Sequence, residues 1–178
     1  MVKIFVSMEE PMPAPSGNPA LDSGIAWRLA ALSITLPKPP TPLGAYVEST
    51  DTGNLLFLTG MLPVVNGKLA VAGRLGEDLS IKDAQAAARI AALNALAVAQ
   101  HHLSDLNRLK KLIKLTVLMS TTEQFTNHAP VADGASDLFV QIFGPGTGHT
   151  RLVYGVQSLP IGAPLIVDTV FEIEPMPR

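Results

Sequence analysis

The alanine-dense segment from Ser80 to about Leu103 constrains the fold of this chain more than any other feature. Ser80 followed by Asp83 is typical of a helix start, and apolar residues then recur at the spacing of one helix face: Ala86, Ile90, Leu93 and Ala97. Because alanine side chains are short, a helix of this composition can approach a flat sheet closely. The segment therefore predicts a long helix that packs on one face of a β-sheet.

The composition predicts a single domain that associates with copies of itself. The chain has 178 residues, which is the usual size of one domain. Apolar residues make up 47% of the sequence and charged residues only 16%. A monomer with so few charges would expose much apolar surface, so we expect another copy to cover part of it.

The amino-acid composition also disfavours several classes of protein. The absence of cysteine excludes disulfides, thiolate nucleophiles and cysteine-based metal sites. A formal net charge of −2 gives no general attraction for nucleic acid or anionic lipid. We find no apolar run long enough to cross a bilayer and no signal peptide, so we expect a cytoplasmic protein without a membrane or nucleic-acid partner.

The chain divides into three parts by composition. Residues 1–23 are rich in proline and predict a flexible leader, and residues 24–43 predict a short helix and a proline-rich connector. Residues 44–178 predict one α+β domain, because strand and helix patterns alternate there without a repeat.

The order of elements in that domain suggests a sheet with two helices on one face. Apolar alternation predicts five main strands at 45–49, 55–59, 112–119, 151–158 and 165–174, and a small hairpin at Asn66-Gly67. A second helix is predicted between Pro130 and Gly144, with one apolar face: Val131, Ala135, Leu138 and Ile142. The sheet face without helices would then pack against neighbouring subunits, and ligand sites would fall between them.

Most motifs of catalytic or metal-binding proteins are missing. The glycine-rich segment 144–148 follows a helix and precedes a strand, which is the reverse of a phosphate-binding loop. His101 and His102 are adjacent and cannot chelate one ion together, while His128 and His149 lack partners at ligand spacing. The serines show no nucleophile motif. We predict no metal site.

Arg151 is the strongest candidate for a functional side chain. It begins a strand directly after the glycine-rich loop, where a rigid backbone can present its planar guanidinium to a cleft. That group suits the two oxygens of a carboxylate. The alternative is an ordinary surface arginine, or a salt bridge to Asp168 or Glu172 on a partner strand.

Four separated motifs resemble the reactive-intermediate deaminase (Rid, YjgF-type) family. They are GAYV at 44–47, NLLFLTGMLP at 54–63, HTRLVYGVQSLP at 149–160 and PLIVDTVFEIE at 164–174. The resemblance covers residues 42–174 with the motifs in the family order. It implies a chorismate-mutase-like α+β fold with a mixed sheet, two helices on one face, and a homotrimer with clefts between subunits.

The resemblance also implies an activity and its residues. Known members hydrolyse reactive enamines and imines, such as 2-aminoacrylate, to 2-keto acids and ammonia without any cofactor. By position, Arg151 matches the arginine that binds the substrate carboxylate, Tyr46 matches a tyrosine near the first strand, and Thr59 with Gly60 matches a Ser-Gly pair in the cleft. Val153 falls in the same cleft.

Two positions depart from the family pattern. Ile166 stands where many active members carry a glutamate, and Asp133 stands where they carry asparagine. Ile166 cannot orient water or transfer a proton, so another group must do so if the reaction is retained. A small-metabolite-binding protein without catalysis is therefore the alternative function, and RNA cleavage ranks last because the sequence has no basic groove or aromatic platform.

Overall fold

The computed structural model describes residues 24–42 and 44–175. The predicted leader at 1–23 lies outside these residues. The helices are α1 Ile25–Ala31, α2 Ile81–Leu103 and α3 His128–Phe143. The strands are β1 Ser49–Thr52, β2 Leu55–Leu58, β3 Val64–Val65, β4 Lys68–Leu69, β5 Leu109–Ser120, β6 Thr150–Val156 and β7 Leu165–Ile173. The α+β fold predicted from the sequence is confirmed.

Five strands form one mixed sheet in the order β1-β2-β7-β5-β6. The pair β5-β6 is parallel, and the other neighbouring pairs are antiparallel. Helix α3 is the crossover between the parallel strands, while β3 and β4 form the separate small hairpin predicted at Asn66-Gly67. Strand β6 therefore lies at the edge of the sheet, beside α3.

Helix α2 has the predicted extent but buries a different face. The Ser80 hydroxyl accepts a hydrogen bond from the Asp83 backbone N–H at 3.1 Å and caps the helix. The most buried stripe consists of alanines, namely Ala84, Ala87, Ala88, Ala91 and Ala95. Ala86, which we predicted on the core face, is exposed. Of the other predicted residues, Ala97 is buried and Ile90 and Leu93 are half-buried, while the larger Leu96 is fully buried beside the alanines.

Helix α3 packs against both α2 and the sheet. Its predicted apolar face is confirmed, because its four residues are fully buried: Val131, Ala135, Leu138 and Ile142. At Gly134 the two helices touch so closely that a side chain there would collide with the backbone carbonyl of Gln85. Glycine at this position sets the distance between the helices, and α3 ends at Gly144 as predicted.

The first strand differs from its prediction. We expected it at 45–49, but β1 begins only at Ser49 and pairs with β2 from Ser49↔Leu58 to Thr52↔Leu55. The tight turn at Gly53-Asn54 fixes this register, so the residues before Ser49 extend past the end of β2. Tyr46 therefore belongs to an exposed segment rather than to the sheet.

The face of the sheet opposite the helices is open and partly apolar. Along β7, residues alternate between a buried side under α2 and α3 and a half-buried side on the open face. Apolar side chains on that open face remain exposed, namely Phe57, Leu152 and Tyr154. Among the described residues no helix is both long and apolar enough to span a membrane.

Candidate functional site

Arg151 lies near the beginning of the edge strand β6, on the helical side of the sheet. Its backbone is paired with Leu115 of β5, whose side chain is fully buried under the helices. Because directly paired residues share a face, the Arg151 side chain points toward α3. The parallel pairing thus fixes the guanidinium beside the first turns of that helix.

One nitrogen of the Arg151 guanidinium makes two contacts with α3. Nη1 donates to Asp133 Oδ1 at 2.6 Å and to Ser136 Oγ at 3.1 Å. The alternative partners considered above, Asp168 and Glu172, are wrong, because β5 separates β6 from β7. Glu172 pairs with Lys111 at 3.2 Å instead.

The edge of the Arg151 guanidinium formed by Nε and Nη2 is available to a ligand. The two hydrogens of Nη1 match its two partners, and within residues 24–42 and 44–175 no partner is found for Nε or Nη2 of Arg151. These two nitrogens form the edge that binds a carboxylate in bidentate fashion. The side chain is 27% exposed, so a ligand can reach that edge.

Arg151, Ser136 and His149 form a chain of hydrogen bonds, and the sequence analysis did not predict a role for Ser136 or His149. Ser136 Oγ lies 3.1 Å from His149 Nε2, in addition to its contact with Arg151. Burial lowers the pKa of His149 below its usual 6.5, and the positive charge of Arg151 lowers it further. A neutral ring can accept a hydrogen bond at Nε2 from the Ser136 hydroxyl, whose oxygen in turn accepts a hydrogen bond from Arg151 Nη1.

Three of the other predicted site residues, Tyr46, Thr59 and Gly60, line a separate cavity of about 280 Å³. A side chain at Gly60 would collide with Ile166, so Ile166 lies directly against this glycine. The Ile166 side chain is apolar, whereas the resemblance implies a glutamate at this position in many active members.

Glu48 lines the same cavity and was missed by the sequence analysis. It precedes β1, and its carbonyl accepts a hydrogen bond from the Thr59 N–H at 2.9 Å. Burial raises the pKa of Glu48 above its usual 4.5, with the charge of His101 acting in the opposite direction. The position of Glu48, two residues after Tyr46, was the only sequence signal for its role. Its place beside Thr59 becomes visible only in the folded structure.

The two groups of predicted residues are far apart within one chain. Arg151, Asp133 and the half-buried Val153 belong to the β6 edge, whereas Thr59 and Gly60 follow β2. Two strands separate β2 from β6, which corresponds to roughly 14 Å at the usual spacing of about 4.8 Å between strands. A small ligand can contact both groups only if they come from different copies of the chain.

A larger groove of about 770 Å³ opens at the far end of β6. It contains Arg74, Thr121, His128 and Gly155. The Arg74 guanidinium is already held there, because Nη2 donates to the Thr121 carbonyl at 2.6 Å. None of the motifs that resemble the family place a cleft residue in this groove, so it is the weaker candidate.

A third polar cluster joins β1 to the end of α2. His102 Nδ1 lies 2.9 Å from Ser49 Oγ, and its Nε2 lies 2.9 Å from Asp51 Oδ1. These residue types match a hydrolytic triad, but Ser49 lines neither of the two depressions described above. We interpret the cluster as a clamp that holds the edge strand β1 against α2.

Comparison with known proteins gives a consistent match. The family described as "YjgF/chorismate_mutase-like, putative endoribonuclease" matches residues 26–173. Protein TCP17 of Trypanosoma cruzi is 38% identical over 150 residues, which is 84% of this chain and 94% of that protein. These matches cover nearly all of the described residues.

Solved structures share the fold. The protein Atu1372 of Agrobacterium tumefaciens, of unknown function, is 35% identical with a TM-score of 0.77, covering 88% of this chain and 97% of that chain. TdcF of E. coli, solved with bound serine, is 22% identical with a TM-score of 0.58, covering 77% and 94%. TdcF therefore supports the fold alone, and its structure shows that a protein of this fold binds a small metabolite.

The low pKa of His149 predicts a dependence of stability on pH. At pH above 6.5 the His149 ring is neutral in both the folded and the unfolded chain. Below pH 6.5 the ring is protonated in the unfolded chain but stays neutral in the folded chain, because its folded-state pKa is lower. The free energy of unfolding should therefore fall as the pH decreases below 6.5. In His149→Gln this decrease should be smaller. Urea unfolding across that pH range checks it.

The exposed Gln100 on α2 provides the control, since it carries no titratable group and Gln100→Ala should keep the wild-type pH dependence. An unchanged pH dependence in His149→Gln would contradict the assignment of a neutral, hydrogen-bonded ring.

Proposed function

Because this chain belongs to the YjgF/chorismate mutase-like family, we propose that it hydrolyses reactive enamines and imines of the 2-aminoacrylate type to 2-keto acids and ammonia. The observation that carries this proposal is the free Nε/Nη2 edge of Arg151, held in place by Asp133 and Ser136. That edge binds the substrate carboxylate and orients the neighbouring carbon.

The chemical step needs a group that handles protons, and Ile166 cannot provide it. We assign this role to Glu48, the carboxyl group in the cavity with Thr59 and Gly60. Glu48 takes a proton from water while the oxygen attacks the imine carbon and the C=N electrons move to nitrogen. Glu48 returns this proton to the nitrogen, which gives a carbinolamine. It then takes the proton of the new hydroxyl group and passes it to the same nitrogen while the C–N bond breaks, so that the oxygen becomes the carbonyl of the 2-keto acid and ammonia leaves.

The two halves of this site meet between copies of the chain. The roughly 14 Å between the β2 and β6 groups exceeds the reach of a three-carbon substrate. The open sheet face, with Phe57, Leu152 and Tyr154 exposed, is the surface that copies would cover. We therefore propose a homotrimer in which Arg151 of one copy faces the Glu48 cavity of its neighbour.

A second candidate is a binding protein without catalysis. It is favoured by Ile166, whose apolar side chain lies against Gly60 of the cavity wall and cannot activate water as a glutamate would. Calorimetry that detects carboxylate binding without turnover would support this alternative.

Removal of the Arg151 guanidinium should slow the reaction. Arg151→Ala is expected to reduce kcat/KM for ammonia release from a freshly generated 2-imino acid about tenfold or more, because the bound carboxylate orients the carbon. Arg89→Ala, which removes an arginine on α2, should leave the rate unchanged. Equal rates for wild type and Arg151→Ala would refute the proposed function.

Glu48→Gln should impair the chemical step more than binding. Loss of a general base is expected to lower kcat by roughly a hundredfold with little change in KM. The wild-type rate should also fall at acidic pH, where Glu48 is protonated, starting at a higher pH than an ordinary glutamate would give because burial raises its pKa. A kcat and pH profile unaffected by Glu48→Gln would remove Glu48 from the mechanism.

Mixed assemblies can test whether the cleft is shared. Arg151→Ala and Glu48→Gln subunits are each defective, but an assembly of both contains some clefts with an intact Arg151 opposite an intact Glu48. Co-expression with two different tags should therefore yield mixed assemblies with more activity than either variant alone. Mixed assemblies with no such gain would place both residues in one chain's site or in no common site.

A further inference from the structure

The ion pair between Arg151 and Asp133 determines the charge that a ligand meets. Nη1 of Arg151 lies 2.6 Å from Asp133 Oδ1, so a carboxylate already occupies one side of the guanidinium. Asparagine, which the family resemblance implies at this position, would leave the positive charge uncompensated. This chain instead presents a cation and an anion next to each other.

A simple anion gains less from such a pair than from an unpaired arginine. Its attraction to Arg151 is reduced by repulsion from Asp133, which is bound to Nη1 of the same guanidinium, because both energies depend on the inverse of distance. His149 does not restore a net positive charge, because burial and Arg151 keep its pKa low and its ring neutral. The nearby Ser136 contributes only a neutral hydroxyl.

A ligand with both charges gains from both partners. Its carboxylate can bind Nε and Nη2 of Arg151, and a cationic nitrogen on the next carbon can lie on the Asp133 side. No partner of Asp133 Oδ2 is found in the described part of the chain, and the side chain is 46% exposed. The second oxygen is therefore available to accept a hydrogen bond from a ligand N–H.

We propose that Asp133 makes this site selective for zwitterionic ligands, which carry a carboxylate and a protonated nitrogen on the adjacent carbon. These are 2-amino acids and protonated 2-imino acids, and the site discriminates against 2-keto and 2-hydroxy acids. The inference rests on the proposed function, in which the imino acid is the substrate and the keto acid the product. Asp133 then holds the substrate and releases the product.

The test compares two ligands with one carbon skeleton. L-Alanine and L-lactate differ in an ammonium against a hydroxyl group, so their ratio of affinities measures recognition of the charged nitrogen. We expect the full-length wild-type protein to bind L-alanine about fivefold more tightly than L-lactate, the effect of a partly exposed charge pair, in NMR titrations. Asp133→Asn should weaken the binding of L-alanine, strengthen the binding of L-lactate and abolish this preference.

Two further variants control the experiment. Asp137→Asn removes an exposed carboxylate from the same helix and should keep the wild-type preference. Arg151→Ala should weaken the binding of both ligands, because it removes the contact with their carboxylate. Asp133→Asn is nearly isosteric, and an unchanged unfolding midpoint would exclude a folding defect.

The outcomes separate this inference from the proposed function. It is overturned if wild type binds both ligands equally, if Asp133→Asn retains the preference, or if Arg151→Ala binds both ligands normally. Failure to release ammonia would refute the deaminase while leaving the measured selectivity valid. Turnover together with equal binding of the two ligands would leave the deaminase and overturn the role of Asp133.

Discussion

The parallel pairing of β5 with β6, connected through α3, is the constraint on which the candidate site depends. It brings the beginning of β6 next to the early turns of α3, so that Arg151 contacts Asp133 and Ser136, which lie 18 and 15 residues earlier in the chain. The helix itself is positioned by its contact with α2 at Gly134. The geometry of one guanidinium thus follows from backbone packing as much as from its own hydrogen bonds.

The same sheet explains why the site is divided. Its strand order leaves β1 and β2 at one edge and β6 at the other, and the helices cover only one face. In the association of identical copies proposed above, neighbouring copies would cover the apolar side chains of the open face and bring the separated groups of residues together. Glu48 would then provide in the cavity the carboxylate that Ile166 does not provide on β7.

Much of the fold could be predicted from periodicity and turn chemistry. The cap at Ser80, the apolar face of α3 and the hairpin at Asn66-Gly67 depend on local interactions, which the sequence displays directly. The buried face of α2 was predicted only in part, since Ala97 is buried but Ala86 is exposed: which side of an alanine-rich helix meets α3 and the sheet depends on tertiary packing. Partners brought together by the fold were also hidden, as Glu48, Ser136 and His149 show.

The two hydrogen bonds at Nη1 have a thermodynamic consequence for ligand binding. They restrict the rotamers of Arg151 while the chain folds, so the entropy of ordering this long side chain is lost before any ligand arrives. A metabolite with only a few atoms makes too few contacts to immobilise a mobile arginine as well. Preorganisation by α3 would thus lower the entropic cost of the small-molecule recognition that we propose for Arg151.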